Sequence, residues 1–338
     1  MRKFYSRRCI LTLAAMAALA SPQLSQSQTF NAGKGDLLAC FRKYNPAGNY
    51  ELVVNLGNIT NYTALPAGTT TNISNYTPTQ LSAAFSDYNN LKWSVSSAVD
   101  NFSTFAGYAG NTLWYTLPRV NAGTSTSVPA RSSSSVQNPV TTDIVSIRGN
   151  AISMSASLGA SANNNSVLVR EPVGGTGGSQ PASVFIKDPI DGSIGDFEGN
   201  LPAGNAENTT PNPFSAAVVS DLYQSVPTGS TDPITGTNDG PAYLVGYFTL
   251  KTDGTMTFTK GPPAPSITSV TRAGNITSVS FTTTSGSFTY KLYGTNSLTA
   301  NSSTNWPVLP GSLIGDGSIK TLTHTNTSGI WFYRAGAQ

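Results

Sequence analysis

Residues 242–265, AYLVGYFTLKTDGTMTFTKGPPAP, constrain this chain more than any other stretch. The first half reads as a strand, with Leu244, Phe248 and Leu250 on one face and Tyr243, Val245 and Tyr247 on the other. Asp253-Gly254 follows, a pair suited to the positive φ angles of a tight hairpin turn. Residues 256–259 alternate again and return along the first strand. Gly261-Pro262-Pro263-Ala264-Pro265 then ends the pairing, because proline offers no ladder donor and holds the chain extended. The pattern predicts a β-rich unit closed by a hairpin, a stiff spacer, and a second unit beyond it.

The first 27 residues are read as an export signal. Arg2, Lys3, Arg7 and Arg8 form a basic start, and residues 9–20 form an apolar run too short to span a bilayer. Ala18-Leu19-Ala20 fits the small-x-small cleavage pattern and Ser25-Gln26-Ser27 fits it less well, so cleavage is expected between residues 20 and 27. The predicted organisation is a leader at 1–27, a β-rich exported domain at 28–260, a linker at 261–265 and a sandwich at 266–338.

The leader dominates the charge. The chain has 19 Lys+Arg and 16 Asp+Glu, and four of the basic residues lie in the leader. The remainder has 15 basic against 16 acidic residues, a formal net charge of −1. A chain this neutral has no electrostatic footprint for nucleic acid, and no later segment is apolar enough to cross a membrane. Cys9 belongs to the leader, which leaves Cys40 as a lone cysteine with no internal disulfide partner. Set in the apolar run 37–41, it reads as a buried thiol, with a bridge between chains as the alternative.

Local signals place further elements. Residues 37–41 and 50–56 read as a hairpin across the turn at Asn45-Pro46-Ala47-Gly48-Asn49. Thr77-Pro78 with Gln80 marks a helix start, and Leu81, Ala84, Phe85 and Tyr88 recur at helical spacing. Residues 91–95 and 112–117 are strand candidates, and 122–135 is a Ser/Thr-rich connection. Asn138-Pro139 repeats the cap-plus-proline signal, with Gly149 placed to stop a helix. Residues 184–187 and 216–223 are the ordered pieces expected between Gly159 and Gly240, the latter as strand or short helix. Beyond the spacer, strands are expected at 266–272, 277–283, 288–294, 320–324 and 330–334, a spacing suited to a small antiparallel sandwich. The fold class is thus mainly β: a larger β-rich domain with two or three short helices, then a small Ig/fibronectin-like antiparallel β-sandwich.

GDLLACFR at 35–42, YELVVNLG at 50–57, NTLWYTLPR at 111–119, SDLYQSVPTG at 220–229 and YLVGYFTLKTDGTMTF at 243–258 occur in this order. Together they resemble exported proteins of verrucomicrobial-type bacteria, many of which end in a PEP-CTERM sorting tail. TNSLTANSSTNWPVLPGSLIGDGS and the final WFYRAGAQ are similar to small β-sandwich modules that terminate exported proteins of the same bacteria. The sorted relatives' Pro-Glu-Pro motif, apolar helix and basic tail do not appear here. The resemblance implies export and architecture, and carries no catalytic residues.

Catalytic signals are weak. His324 is the only histidine, so a nucleophile–histidine triad or a histidine-based metal site would have to be built on it. It sits in TLTHTN, and reads as a hydrogen-bonded or solvated strand residue. The GGTGG run at 174–178 lacks the Lys-Ser/Thr of a phosphate loop. The four glutamates, Glu51, Glu171, Glu198 and Glu207, offer no recognisable pair for glycoside hydrolysis. The densest acidic run holds Asp188, Asp191, Asp196 and Glu198, whose hard oxygens suit calcium in kind although not in EF-hand spacing. Solvated turn residues are the alternative, and calcium is the one cofactor these residues suggest. Of the four tryptophans, Trp114 and Trp331 read as core, and Trp306 before Pro307 as the more exposed candidate for stacking on a ligand.

The leading expectation is a non-catalytic exported protein, extracellular or at the cell surface, with a structural role in surface or matrix. The periplasm is a second location. A carbohydrate-binding or adhesive module is the second reading and a polysaccharide-active hydrolase the third. The expected partners are other copies of the chain or extracellular polysaccharide. The polar run at 28–34 has three possible places: on a neighbouring molecule's sheet, packed on its own unit, or free.

Overall fold

The computed structural model describes residues 30–43, 49–119, 128–157, 166–171, 200–262, 265–283, 288–297, 306–326 and 329–337. It is mainly β with three helices. The first hairpin pairs β1 (Asp36–Lys43) with β2 (Asn49–Asn58), as its alternation predicts. Then follow α1 (Ile59–Thr63), β3 (Thr70–Asn72), α2 (Pro78–Phe85), β4 (Lys92–Ala98) and β5 (Leu113–Pro118). Next come α3 (Ser134–Ser157), β6 (Ser166–Glu171), β7 (Asn208–Thr209), β8 (Val218–Ser225), β9 (Tyr243–Leu250) and β10 (Met256–Lys260). These strands form one ten-stranded antiparallel sheet in the order β3-β10-β9-β8-β5-β4-β1-β2-β6, with β7 paired to β4.

Both faces of this sheet are buried, which explains why β1 reads as a nearly continuous apolar run. Leu37, Ala39 and Phe41 enter an inner core, and Leu38 and Cys40 an outer one. The sheet curls around the inner core. Tyr62 of α1, close after β2, meets the ring of Phe258 edge-on at 4.9 Å and that of Phe248 at 6.0 Å, joining strands far apart in the sheet order. On the outer face Val140, Ile144, Ile147 and Ala151 form one stripe of α3, packed with Leu38, Val53, Leu113 and Tyr115. The Cys40 thiol is buried there.

Helix α2 starts as expected. Thr77 accepts from the Gln80 backbone N–H at 3.2 Å, and the Gln80 side chain accepts from the Thr77 N–H at 2.9 Å, a complete capping box. Helix α3 departs from its sequence signals. It begins at Ser134, carries Pro139 inside, and passes through Gly149 to Ser157. The burial of Val140, Ile144 and Ile147 outweighs the local stop signal. Of residues 216–223, ambiguous by pattern, 218–223 belong to strand β8 because both neighbours, β5 and β9, supply ladder partners.

The hairpin at 243–260 forms, with one correction. Tyr243, Val245, Phe248 and Leu250 all reach the inner core, whereas simple alternation puts Val245 opposite Phe248. The register explains it: Leu222 faces Gly246 and Tyr223 faces Leu244, so Val245 bulges out of the ladder with β8 and the side-chain phase flips. At the turn the Gly254 N–H donates to the Lys251 carbonyl, and only Gly254 is left-handed, at φ +82°. Asp253 instead accepts from the Thr255 N–H and hydroxyl.

Residues 267–337 form the sandwich, from β11 (Ile267–Ala273), β12 (Ile276–Thr282), β13 (Thr289–Thr295), β14 (Val308–Ile314), β15 (Ile319–Thr325) and β16 (Phe332–Ala337). One sheet runs β11-β12-β15 and the other β14-β13-β16. Val279, Phe281, Tyr290 and Leu292 fill the space between, with the Phe281 and Tyr290 rings stacked at 5.9 Å. Gly274 at φ +57° opens the two-residue turn between β11 and β12, the place where a type II′ hairpin needs glycine. Strand β14, which carries Pro310 and the left-handed Gly311, has no counterpart among the sequence expectations. It lies at a sheet edge, where a missing donor is tolerated.

Candidate functional site

Asp188, Asp191, Asp196 and Glu198, the residues 184–187 and the leader all lie outside the described residues. His324 lies on β15 with Nδ1 3.2 Å from the Tyr333 hydroxyl and its ring 4.4 Å from that of Trp331. It is a hydrogen-bonded strand histidine in an aromatic cluster. Trp114 is fully buried, and Trp331 packs against the sandwich core. Trp306 is half-buried, not exposed, and its indole N–H is shielded without a partner. The adjoining Pro307 accepts from the Gly294 N–H, which draws this segment onto β13. In the run at 28–34, Phe30 and Ala32 are buried in the outer core, so its described part packs on its own unit.

Two of the buried carboxylates are tied to arginines. Glu207 forms a two-pronged ion pair with Arg42, which reaches it from β1. Asp221, fully buried on β8, pairs with Arg119, whose guanidinium also lies 4.5 Å from the centre of the Tyr247 ring. Burial raises the Asp221 pKa although Arg119 opposes the shift. Each of these two contacts joins an arginine to a carboxylate as an ion pair.

One concave site contains an ionisable group in an unusual setting. Lys260 ends β10, where its N–H donates to the Thr69 carbonyl and its own carbonyl accepts from the Gly68 N–H. Its side chain lines a cavity of about 520 Å³ together with Thr60, Thr63, Leu65, Ile234 and Tyr243. The ammonium lies 5.2 Å from the centre of the Tyr243 ring, and no carboxylate among the described residues pairs with it. Burial pulls its pKa down to about 8. Nothing in sequence marks this lysine, because the walls of its cavity come from positions up to 200 residues away. Chemically it offers one cation, one aromatic face and apolar walls, a set suited to holding a ligand but without a paired acid and base.

That setting predicts a pH effect. From about pH 8 to 10 the folded protein releases the Lys260 proton while the unfolded chain keeps it, so stability rises with pH across this window. Below pH 8 both states are charged and the full desolvation cost is present. Lys260→Met is expected to stabilise the protein near neutral pH by on the order of 2 kcal/mol and to remove the rise. Urea titrations of both proteins at matched pH check this. The comparison between them cancels the buried tyrosines, such as Tyr62 and Tyr76, whose raised pKa values act oppositely at higher pH.

A second feature is a surface. Of the ten large apolar residues that stand exposed among those described, seven lie between Ile267 and Ile330, all in the sandwich. The two sheets meet closely where β14 lies against β15, at one side of the sandwich. At the opposite side, between β11 and β16, Arg272 of β11 donates to the Gly329 carbonyl at 3.1 Å. Register with the buried Phe281 and Val279 puts Ile267 and Val270 on the inward face of β11, yet they are 39% and 52% exposed.

No protein-family model, curated protein or solved structure matches the chain.

Proposed function

We propose that this chain is a non-catalytic, exported protein of the cell surface or extracellular matrix, with a structural role exercised through its C-terminal sandwich. The observation that carries this reading is the concentration of exposed aliphatic residues on that module. Exposed aliphatic residues gathered on one module favour association there. The near-neutral charge after the leader fits the same role, because few charges oppose close approach. The test is fractionation of the native producing cells with detection by antibody. Retention in the surface or matrix fraction is expected, and recovery only from the cytoplasm or as freely dissolved secreted protein would defeat the proposal.

The Lys260 cavity favours a second reading, an adhesive protein that holds a carbohydrate or another small extracellular ligand. A glycan-binding screen separates the two. Binding that is lost in Lys260→Met would move the adhesive reading to first place.

A further inference from the structure

We infer that the cavity beside Lys260 binds a small carboxylic acid with an apolar body, its carboxylate on the Lys260 ammonium and its body against Leu65, Ile234 and the Tyr243 ring. The inference rests on the second reading above and names the chemical class of that site's ligand.

The cation is built into the wall. Lys260 stands opposite Gly246 in the β9–β10 ladder, and its own N–H and carbonyl bond to Thr69 and Gly68. With its backbone tied on both sides the residue is 6% exposed, and its side chain lines the cavity. A lysine ammonium carries three N–H donors. Among the described residues this one lies over the Tyr243 ring and makes no hydrogen bond or ion pair.

Three buried arginines are held differently. Arg42 pairs with Glu207, Arg119 with Asp221, and Arg131 donates to the carbonyls of Val226, Pro227, Ser230 and Thr237. Burial alone lowers the Lys260 pKa, whereas at Arg131 the charges of Asp232 and Asp239 oppose the shift. A buried cation with no counter-charge is costly, and an anion entering the cavity offsets that cost.

Charge thus selects an anion, and the walls select its kind. The Thr60 hydroxyl donates to Asn58 Oδ1 at 2.8 Å, and the Thr63 hydroxyl to the Thr60 carbonyl at 3.2 Å. The Gly261 N–H donates to the Val245 carbonyl at 2.9 Å. The hydrogens of these polar wall groups are therefore committed, and the side chains of Ala64, Leu65, Ala67 and Ile234 offer none. A sugar ring needs several directed hydrogen bonds, and a phosphate needs more donors than one ammonium supplies. A carboxylate needs only the cation, and an apolar body suits the remaining walls. The volume of about 520 Å³ lies within the range of about 300–1,000 Å³ usual for small-molecule sites.

The test titrates phenylacetate into the chain at pH 7 by ligand-observed NMR, with phenylacetamide as the neutral isostere. The acid is expected to bind with a Kd on the order of 0.1–1 mM. The amide is expected to bind about tenfold more weakly, since it lacks the charge-assisted hydrogen bond. Lys260→Met, expected above to fold with greater stability, should bring the acid down to the level of the amide. Ala64→Phe adds a ring at an exposed part of the cavity wall and should weaken both. Acid and amide of equal affinity overturn the inference, as does acid binding that either variant leaves unchanged. Failure of the acid to bind at about 20 mM also overturns it. Glucuronate that binds as tightly as phenylacetate overturns it too, because the apolar body would then count for nothing. A neutral glycan bound in the screen above, with phenylacetate silent, refutes the inference and leaves the second reading standing. Silence from glycans and acid alike refutes both.

Discussion

Arg131→Ala is expected to destabilise the larger β unit by about 3–5 kcal/mol, because one guanidinium holds together a loop with no ladder of its own. Arg131 is 5% exposed. Its Nε donates to the Val226 carbonyl at 2.6 Å, Nη1 to the Thr237 carbonyl at 3.0 Å, and Nη2 to the carbonyls of Pro227 and Ser230 at 3.1 and 2.7 Å. Four backbone acceptors between β8 and β9 thus have the same donor, in a stretch where Pro227, Gly229, Pro233 and Gly236 forbid regular pairing. Asp232, buried beside them, accepts from Gln224 Nε2 at 3.0 Å and from the Ile234 N–H at 2.8 Å. Gln224 in turn accepts from the indole of Trp114 at 3.1 Å, so the loop is fastened to the core.

Burial lowers the Arg131 pKa, and the charges of Asp232 and Asp239 oppose that shift. Arginine keeps its charge regardless, since its ordinary value is so high. Lysine cannot reproduce the fork, so Arg131→Lys is expected to recover less than half of the loss. Equilibrium urea unfolding measures both variants, and limited proteolysis should show faster cutting within 227–240. An alanine variant within about 1 kcal/mol of the parent would show that water replaces the guanidinium at little cost.

Gly246→Ala is the second large effect, a loss of at least about 3 kcal/mol or failure to fold. Gly246 lies in the middle of β9, and a Cβ there would stand 2.3 Å from the Thr259 carbonyl oxygen and 2.5 Å from the Phe258 ring. Backbone φ is not the cause, since Gly246 is not left-handed. Gly246 stands opposite Lys260 in the β9–β10 ladder, where the Thr259 carbonyl and the Phe258 ring leave room for hydrogen alone. The same substitution at Gly149 is expected to have the opposite sign. That glycine lies inside α3, and its added methyl would meet nothing within 4 Å. A gain of about 0.5–1 kcal/mol follows from helix propensity. Thermal melts of the two variants, run together, check the pair. A stable Gly246→Ala protein would mean that β10 yields at that point.

Sequence alone determined whatever depends on neighbours a few residues apart. Short apolar runs marked β1, β2, β4 and β5 and alternation marked β9 and β10, because both patterns are carried by residues next to one another in the chain. The Thr77–Gln80 box and the Gly274 turn were legible for the same reason, since donor and acceptor lie within one turn of chain. Two signals of this kind misled. Asn138-Pro139 marked a helix start inside α3, and Gly149 marked a stop that burial overrode. Only the tertiary structure decided the strand order, the bulge that turns Val245 inward, the carbonyl cluster around Arg131 and the cavity of Lys260. Each joins groups that lie tens to hundreds of residues apart, from Arg131 and Val226 to Thr60 and Lys260. No local spacing encodes such a meeting. It exists only once burial of two cores has paid the entropy of bringing those distant segments together.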